Sequence, residues 1–167
     1  SERPMTITDL VAPEAILPAL KVISKKQALQ ELAARAAALS GQNERSVFEV
    51  LLQREKLGTT AVGYGVAIPH GKLPKLEKLF GLFARLERPI DFEAMDGQPV
   101  DLMFLLLARE GAGADHLKAL ARIARLLRDQ DVAIYPVSPE MNDFWNGTGQ
   151  IGNFAYVFDG IDWEESP

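Results

Sequence analysis

The chain of 167 residues contains no cysteine, which excludes disulfides, thiolate metal sites and thiol nucleophiles. It also lacks any apolar run near the roughly 20 residues that a membrane-spanning helix needs. No basic-then-apolar secretion signal is present, so the expectation is a cytoplasmic protein without membrane insertion. Positive charge is in short supply: 18 Lys and Arg stand against 23 Asp and Glu, for a net charge of −5. That argues against a broad nucleic-acid-binding surface, which needs a basic stripe. Histidine is scarce as well, with two residues, His70 and His116.

What remains is ordinary globular composition, 47% hydrophobic and 25% charged, in a length that suits one domain with a sizeable core. Residues 6–23 form an N-terminal segment broken by Pro13 and Pro18. Ser24 and Gln27 have capping-box spacing, and Ala28, Leu29, Leu32, Ala33, Ala36 and Leu39 predict one apolar helix face that stops at Gly41. A second helix is predicted from about Asn43 to Lys56, closed by Gly58, with Val47, Val50 and Leu51 as its stripe. Residues 59–71 read as a loop, a short strand and a sharp turn at Pro69-His70-Gly71. Gly71 there permits close backbone approach or a positive φ.

Strands are expected at 79–87 and 100–108, the second a nearly continuous apolar run as for a strand covered on both faces, with a turn at Asp96-Gly97 between them. A third helix is expected from Ala114 or Asp115 to about Asp129. Helices and strands are mixed throughout, so the class is α/β (α+β): a single domain with a mixed parallel/antiparallel β-sheet flanked by α-helices. Residues 1–5 read as an N-terminal extension and 131–167 as a Pro/Gly-rich, aromatic tail of different character, in which Phe154, Tyr156 and Phe158 alternate as in a strand.

Three residues have readings that compete. His70, between Pro and Gly, suits a nucleophile, a general base, a ligand or a turn residue, the last being the default. His116 shares an apolar face with Leu120, Ile123 and Leu127, where a buried, hydrogen-bonded core histidine is the default. Arg54 lies three residues after Leu51 and seven after Val47, in or beside the apolar stripe. Either its stem lies along the surface with the head in water, or the charge is directed at a site.

The surroundings of His70 carry a resemblance. Arg-Glu-Lys-Leu-Gly-Thr-Thr at 54–60, Gly-Val-Ala-Ile-Pro-His-Gly-Lys at 65–72, Pro-Ile-Asp-Phe at 89–92, Asp-Gly-Gln-Pro-Val-Asp-Leu at 96–102 and His-Leu-Lys-Ala-Leu at 116–120 follow in unbroken order. Together they resemble the enzyme IIA domain of the bacterial phosphoenolpyruvate-dependent phosphotransferase system, of mannitol–fructose type, and within it the nitrogen-regulatory branch. The resemblance implies a phosphotransferase domain over about 6–130. It makes His70 the phosphorylated nucleophile, charged by an HPr-like phosphocarrier protein. It places Arg54 and His116 beside that histidine as stabilisers of the phosphoryl group. Thr59, Thr60 and Gly71 are expected to supply hydroxyl or backbone donors. No cofactor and no metal are implied.

Three functions follow from it: a regulatory phosphoacceptor with protein targets, a fructose- or mannitol-type enzyme IIA feeding a sugar-specific enzyme IIB, or a non-catalytic binding module. A homo-oligomer is compatible with all three.

Overall fold

The computed structural model describes residues 13–111. The expected third helix, His116, the stretch before Pro13 and the segment 131–167 lie outside the described residues.

Among the described residues, two α-helices form where the sequence supplies both apolar periodicity and caps. Helix α1 spans Lys25–Ser40; the Ser24 side chain accepts from the Gln27 backbone N–H, and Gly41, at φ 75°, ends it in the left-handed region. The reciprocal bond is shifted by one residue, since Gln27 Oε1 accepts from the N–H of Ile23 rather than Ser24. Ala28, Leu29, Leu32, Ala33, Ala36 and Ala37 are buried, whereas Leu39, expected on that face, is 40% exposed. Helix α2 spans Glu44–Lys56, with Asn43 as N-cap and Leu57 as C-cap, and Gly58 follows at φ 148°.

Among the described residues, six strands build one mixed sheet: β1 Ile16–Leu20, β2 Ala61–Gly63, β3 Val66–Ala67, β4 His70–Leu73, β5 Phe80–Ile90 and β6 Val100–Arg109. The order is β1-β5-β6-β3-β2, with β4 also pairing β6. Strand β6 is the axis. Antiparallel β5 lies on one side; β3 and β4 lie end to end on the other, both parallel to β6. Residues Leu102 to Ala108 are all buried, as its apolar run implies. The helix and strand interiors join in one core, where Leu29, Leu32, Leu51, Phe83, Phe92, Phe104 and Met103 are fully enclosed.

Two prolines lie inside strands: Pro18, expected to break the N-terminal segment, and Pro89, which follows the strand expected at 79–87. Pro18 sits in β1, which is at the sheet edge, and the register with β5 shifts between Leu17 and Leu20. Strand β5 runs through Pro89 to Ile90, with a register shift between Arg85 and Ile90. A ladder tolerates a residue without an N–H where pairing is already irregular or absent on one side.

The third difference concerns His70. The expected turn at Pro69-His70-Gly71 is the start of β4, with His70 paired to Leu106 and Gly71 to Leu107. The break falls at Ile68-Pro69, between β3 and β4, where Pro69 has no N–H to donate but its carbonyl accepts from Leu106 N.

Candidate functional site

His70 enters the site from the first position of β4, and Arg54 from the last turn of α2. The helix and strand are pressed together at Gly71. A Cβ added there would come within 2.8 Å of Val50 Cγ2, so the glycine serves close approach; it is absent from the positive-φ residues.

The imidazole is held at both nitrogens. Nδ1 lies 2.8 Å from the carbonyl oxygen of Ile68. A carbonyl can only accept, so Nδ1 carries the proton. The other nitrogen, Nε2, then presents its lone pair and accepts from Arg54 Nε–H at 3.2 Å. Arg54 is itself fixed, because Nη1 donates to the Gly58 carbonyl at 2.8 Å. Both side chains are partly exposed. A neutral imidazole with a defined unprotonated nitrogen beside a guanidinium is equipped to attack an anionic electrophile and to stabilise it.

The two threonines use their hydroxyl protons elsewhere. Thr59 Oγ1 donates to the Phe92 carbonyl at 2.7 Å and accepts from Ala61 N–H. Thr60 is buried, and both its N–H and its hydroxyl donate to the Glu55 carboxylate at 2.7 Å. Expected as phosphate donors, both hydroxyls are therefore committed to protein acceptors in this structure.

Glu55 is the residue that sequence reasoning missed. Among the described residues, Glu55 and Thr60 are the buried polar side chains. Removing a carboxylate from water costs several kcal/mol unless it is fully partnered. Here Lys25 Nζ lies 3.1 Å from Oε1, and the two Thr60 donors complete the set. Lys25 also lies 4.8 Å from the centroid of the Phe92 ring. A signal was present in the spacing: Val47, Leu51 and Glu55 recur every four residues and are the buried positions of α2. Arg54, the charge singled out in the stripe, lies beside that face and is only half-buried.

Among the described residues, no three His, Asp or Glu side chains cluster as a metal site would require, and no helix is long and apolar enough to cross a membrane.

The fold and the sequence that builds it have relatives. Residues 9–133 match the family model of the phosphoenolpyruvate-dependent sugar phosphotransferase system, EIIA 2. The chain belongs to this family and is a phosphotransferase-system enzyme IIA component. It is 91% identical over 129 residues to a nitrogen regulatory protein of Bradyrhizobium diazoefficiens, covering 77% of this chain and 84% of that one. The fold matches the crystal structure of nitrogen regulatory protein IIA-Ntr from Neisseria meningitidis at TM-score 0.71 and 37% identity, over 74% of this chain and 85% of that one. The IIA mannitol structure from Escherichia coli shares the fold at TM-score 0.63 and 21% identity, over 79% of this chain and 95% of that one.

Proposed function

We propose that the protein is a regulatory enzyme IIA that accepts a phosphoryl group on His70 Nε2 from the phosphohistidine of an HPr-like carrier. The observation that carries this reading is the fixed tautomer: Nδ1–H on the Ile68 carbonyl, Nε2 facing Arg54.

The Nε2 lone pair forms a bond to phosphorus as the phosphorus–nitrogen bond of the carrier breaks, and the carrier imidazole leaves with that electron pair. No proton has to move. The ring of His70 becomes cationic while keeping its Nδ1 proton, so the bond to Ile68 becomes charge-assisted as the transfer proceeds. In-line phosphoryl transfer needs mainly positioning and charge stabilisation, and Arg54 supplies the second by turning N–H groups from Nε2 to the phosphoryl oxygens. His116 is assigned a donor role at the same oxygens on the family resemblance, and the backbone at Gly71 a supporting one.

Similarity to nitrogen regulatory proteins favours control of protein targets, in the cytoplasm, over delivery of phosphate to a sugar-specific enzyme IIB. The test is phosphorylation by phosphoenolpyruvate, enzyme I and an HPr-type carrier, read by intact mass. One acid-labile phosphate that is lost in His70→Ala supports the reading; equal labelling of that variant removes it. Rapid onward transfer to a fructose- or mannitol-type enzyme IIB would replace the regulatory role with a transport one.

A further inference from the structure

We propose that the buried Lys25–Glu55–Thr60 cluster is a positioning device for the acceptor nitrogen of His70. The proposal rests on the reading of His70 as the phosphoacceptor.

Two bonded routes leave Glu55 and end on the two nitrogens of the ring. Along the first, the carboxylate holds Thr60 by its N–H and hydroxyl, both at 2.7 Å. The Thr60 carbonyl accepts from Ile68 N–H at 3.0 Å, and the Ile68 carbonyl accepts from His70 Nδ1 at 2.8 Å. Along the second, the Glu55 carbonyl accepts from Gly58 N–H at 3.1 Å, and the Gly58 carbonyl accepts from Arg54 Nη1 at 2.8 Å. Arg54 Nε then meets His70 Nε2 at 3.2 Å. Both routes meet at Glu55: its carboxylate holds Thr60, whose peptide leads to the carbonyl that selects the tautomer, and its backbone carbonyl holds Gly58, whose carbonyl aims the guanidinium.

The cluster is anchored from two further segments. Lys25, at the start of α1, pairs with the carboxylate and lies over Phe92. The Phe92 carbonyl accepts from Thr59, the residue between Gly58 and Thr60. Stability alone gives little reason for this arrangement, because well-packed apolar replacements of buried ion pairs are often neutral or stabilising. Directional bonds are what an apolar cluster would lack.

The test uses the full chain with Thr60→Val, Thr60→Ser and Glu55→Gln. Folding is checked by circular dichroism. The ring nitrogens of His70 are read by 15N NMR, assigned against His70→Gln, and single-turnover transfer is measured over a range of phosphorylated-carrier concentrations. The wild type shows the Nδ1–H tautomer. Thr60→Val and Glu55→Gln move the ring toward a mixture with the Nε2–H form. They slow transfer by up to roughly 100-fold at an unchanged half-saturating carrier concentration. Thr60→Ser, which restores the hydroxyl, behaves as wild type.

A folded Thr60→Val protein with wild-type ring nitrogens, or with wild-type transfer, overturns the proposal. That variant keeps the side-chain volume and decides the matter if Glu55→Gln does not fold. A wild-type protein that takes no phosphate, while the ring still responds in the variants, overturns the phosphoacceptor reading and leaves the positioning of the ring supported.

Discussion

Arg54 Nε meets His70 Nε2 at 3.2 Å, while the opposite ring nitrogen is tied to the Ile68 carbonyl at 2.8 Å. The pair joins the end of a helix to the start of a strand, and each partner is fixed by a backbone carbonyl two or four residues away. The unprotonated nitrogen is therefore chosen by the fold.

Arg54→Lys tests the fork of that contact. Lysine keeps the charge but replaces the planar fork, whose Nε and Nη1 reach His70 Nε2 and the Gly58 carbonyl, with a single nitrogen. Transfer from a phosphorylated carrier is expected to fall by about 100- to 1,000-fold, the scale for losing one preorganised donor, with the circular dichroism spectrum unchanged. Wild-type single-turnover rates in the folded variant would remove Arg54 from the reaction.

Gly71→Ala tests the close approach of α2 to β4. The new methyl would meet Val50 Cγ2 at 2.8 Å, and overpacking of that kind costs about 1–3 kcal/mol. A lower melting temperature is expected, and Val50→Ala in the same chain should recover part of the loss. Equal melting temperatures for Gly71→Ala and wild type would show that the helix yields without cost.

Asp101 predicts a pH dependence. Burial raises its carboxyl above the ordinary 3.8, against lowering by its own backbone hydrogen bond and by Arg85. The folded state then holds the proton more tightly than the unfolded chain. This contribution to stability declines as pH rises through the window just above 3.8 and levels off once the folded state has also ionised. Asp101→Asn should melt higher than wild type at pH 7, and the gap should narrow as pH falls below 3.8. A gap that does not change with pH would contradict the assignment.

Asn43→Ala separates stability from chemistry. Its side chain caps α2 by accepting from Ser46 N–H at 3.0 Å, and losing such a cap costs about 1 kcal/mol. Denaturant unfolding should shift by that amount, while transfer rates well below the melting temperature stay at the wild-type value. A large loss of transfer in the folded protein would mean that the helix start, and not only its end, sets the position of Arg54.

Both described helices were legible because their determinants are local. Ser24, Gly41 and Asn43 cap by bonding to residues within four positions, and apolar residues at helical spacing need only a surface to face. Strand β6 was legible from its apolar run, and Asp96-Gly97 as a turn from its residue types. The strand character of Pro18, Pro89 and His70 was not, because a strand exists only against a partner. Pro-His-Gly reads as a turn until β6 supplies the neighbouring ladder. In α2 the four-residue recurrence from Val47 to Glu55 was visible, but a carboxylate at a helix end is ordinarily solvated. Only Lys25 and Thr60, brought in from other segments, make its burial tolerable.

The sequence by itself determined the mixed class, the two helices with their ends, the exclusion of thiol chemistry and the family to which His70 belongs as a motif residue. Tertiary structure decided which nitrogen of His70 is free of its proton, that Arg54 reaches it, and that Glu55 is the buried charge of α2. The division follows from range. Caps and periodicity act between residues a few positions apart, whereas the Arg54–His70 contact and the Lys25–Glu55 pair join segments that meet only in the folded chain.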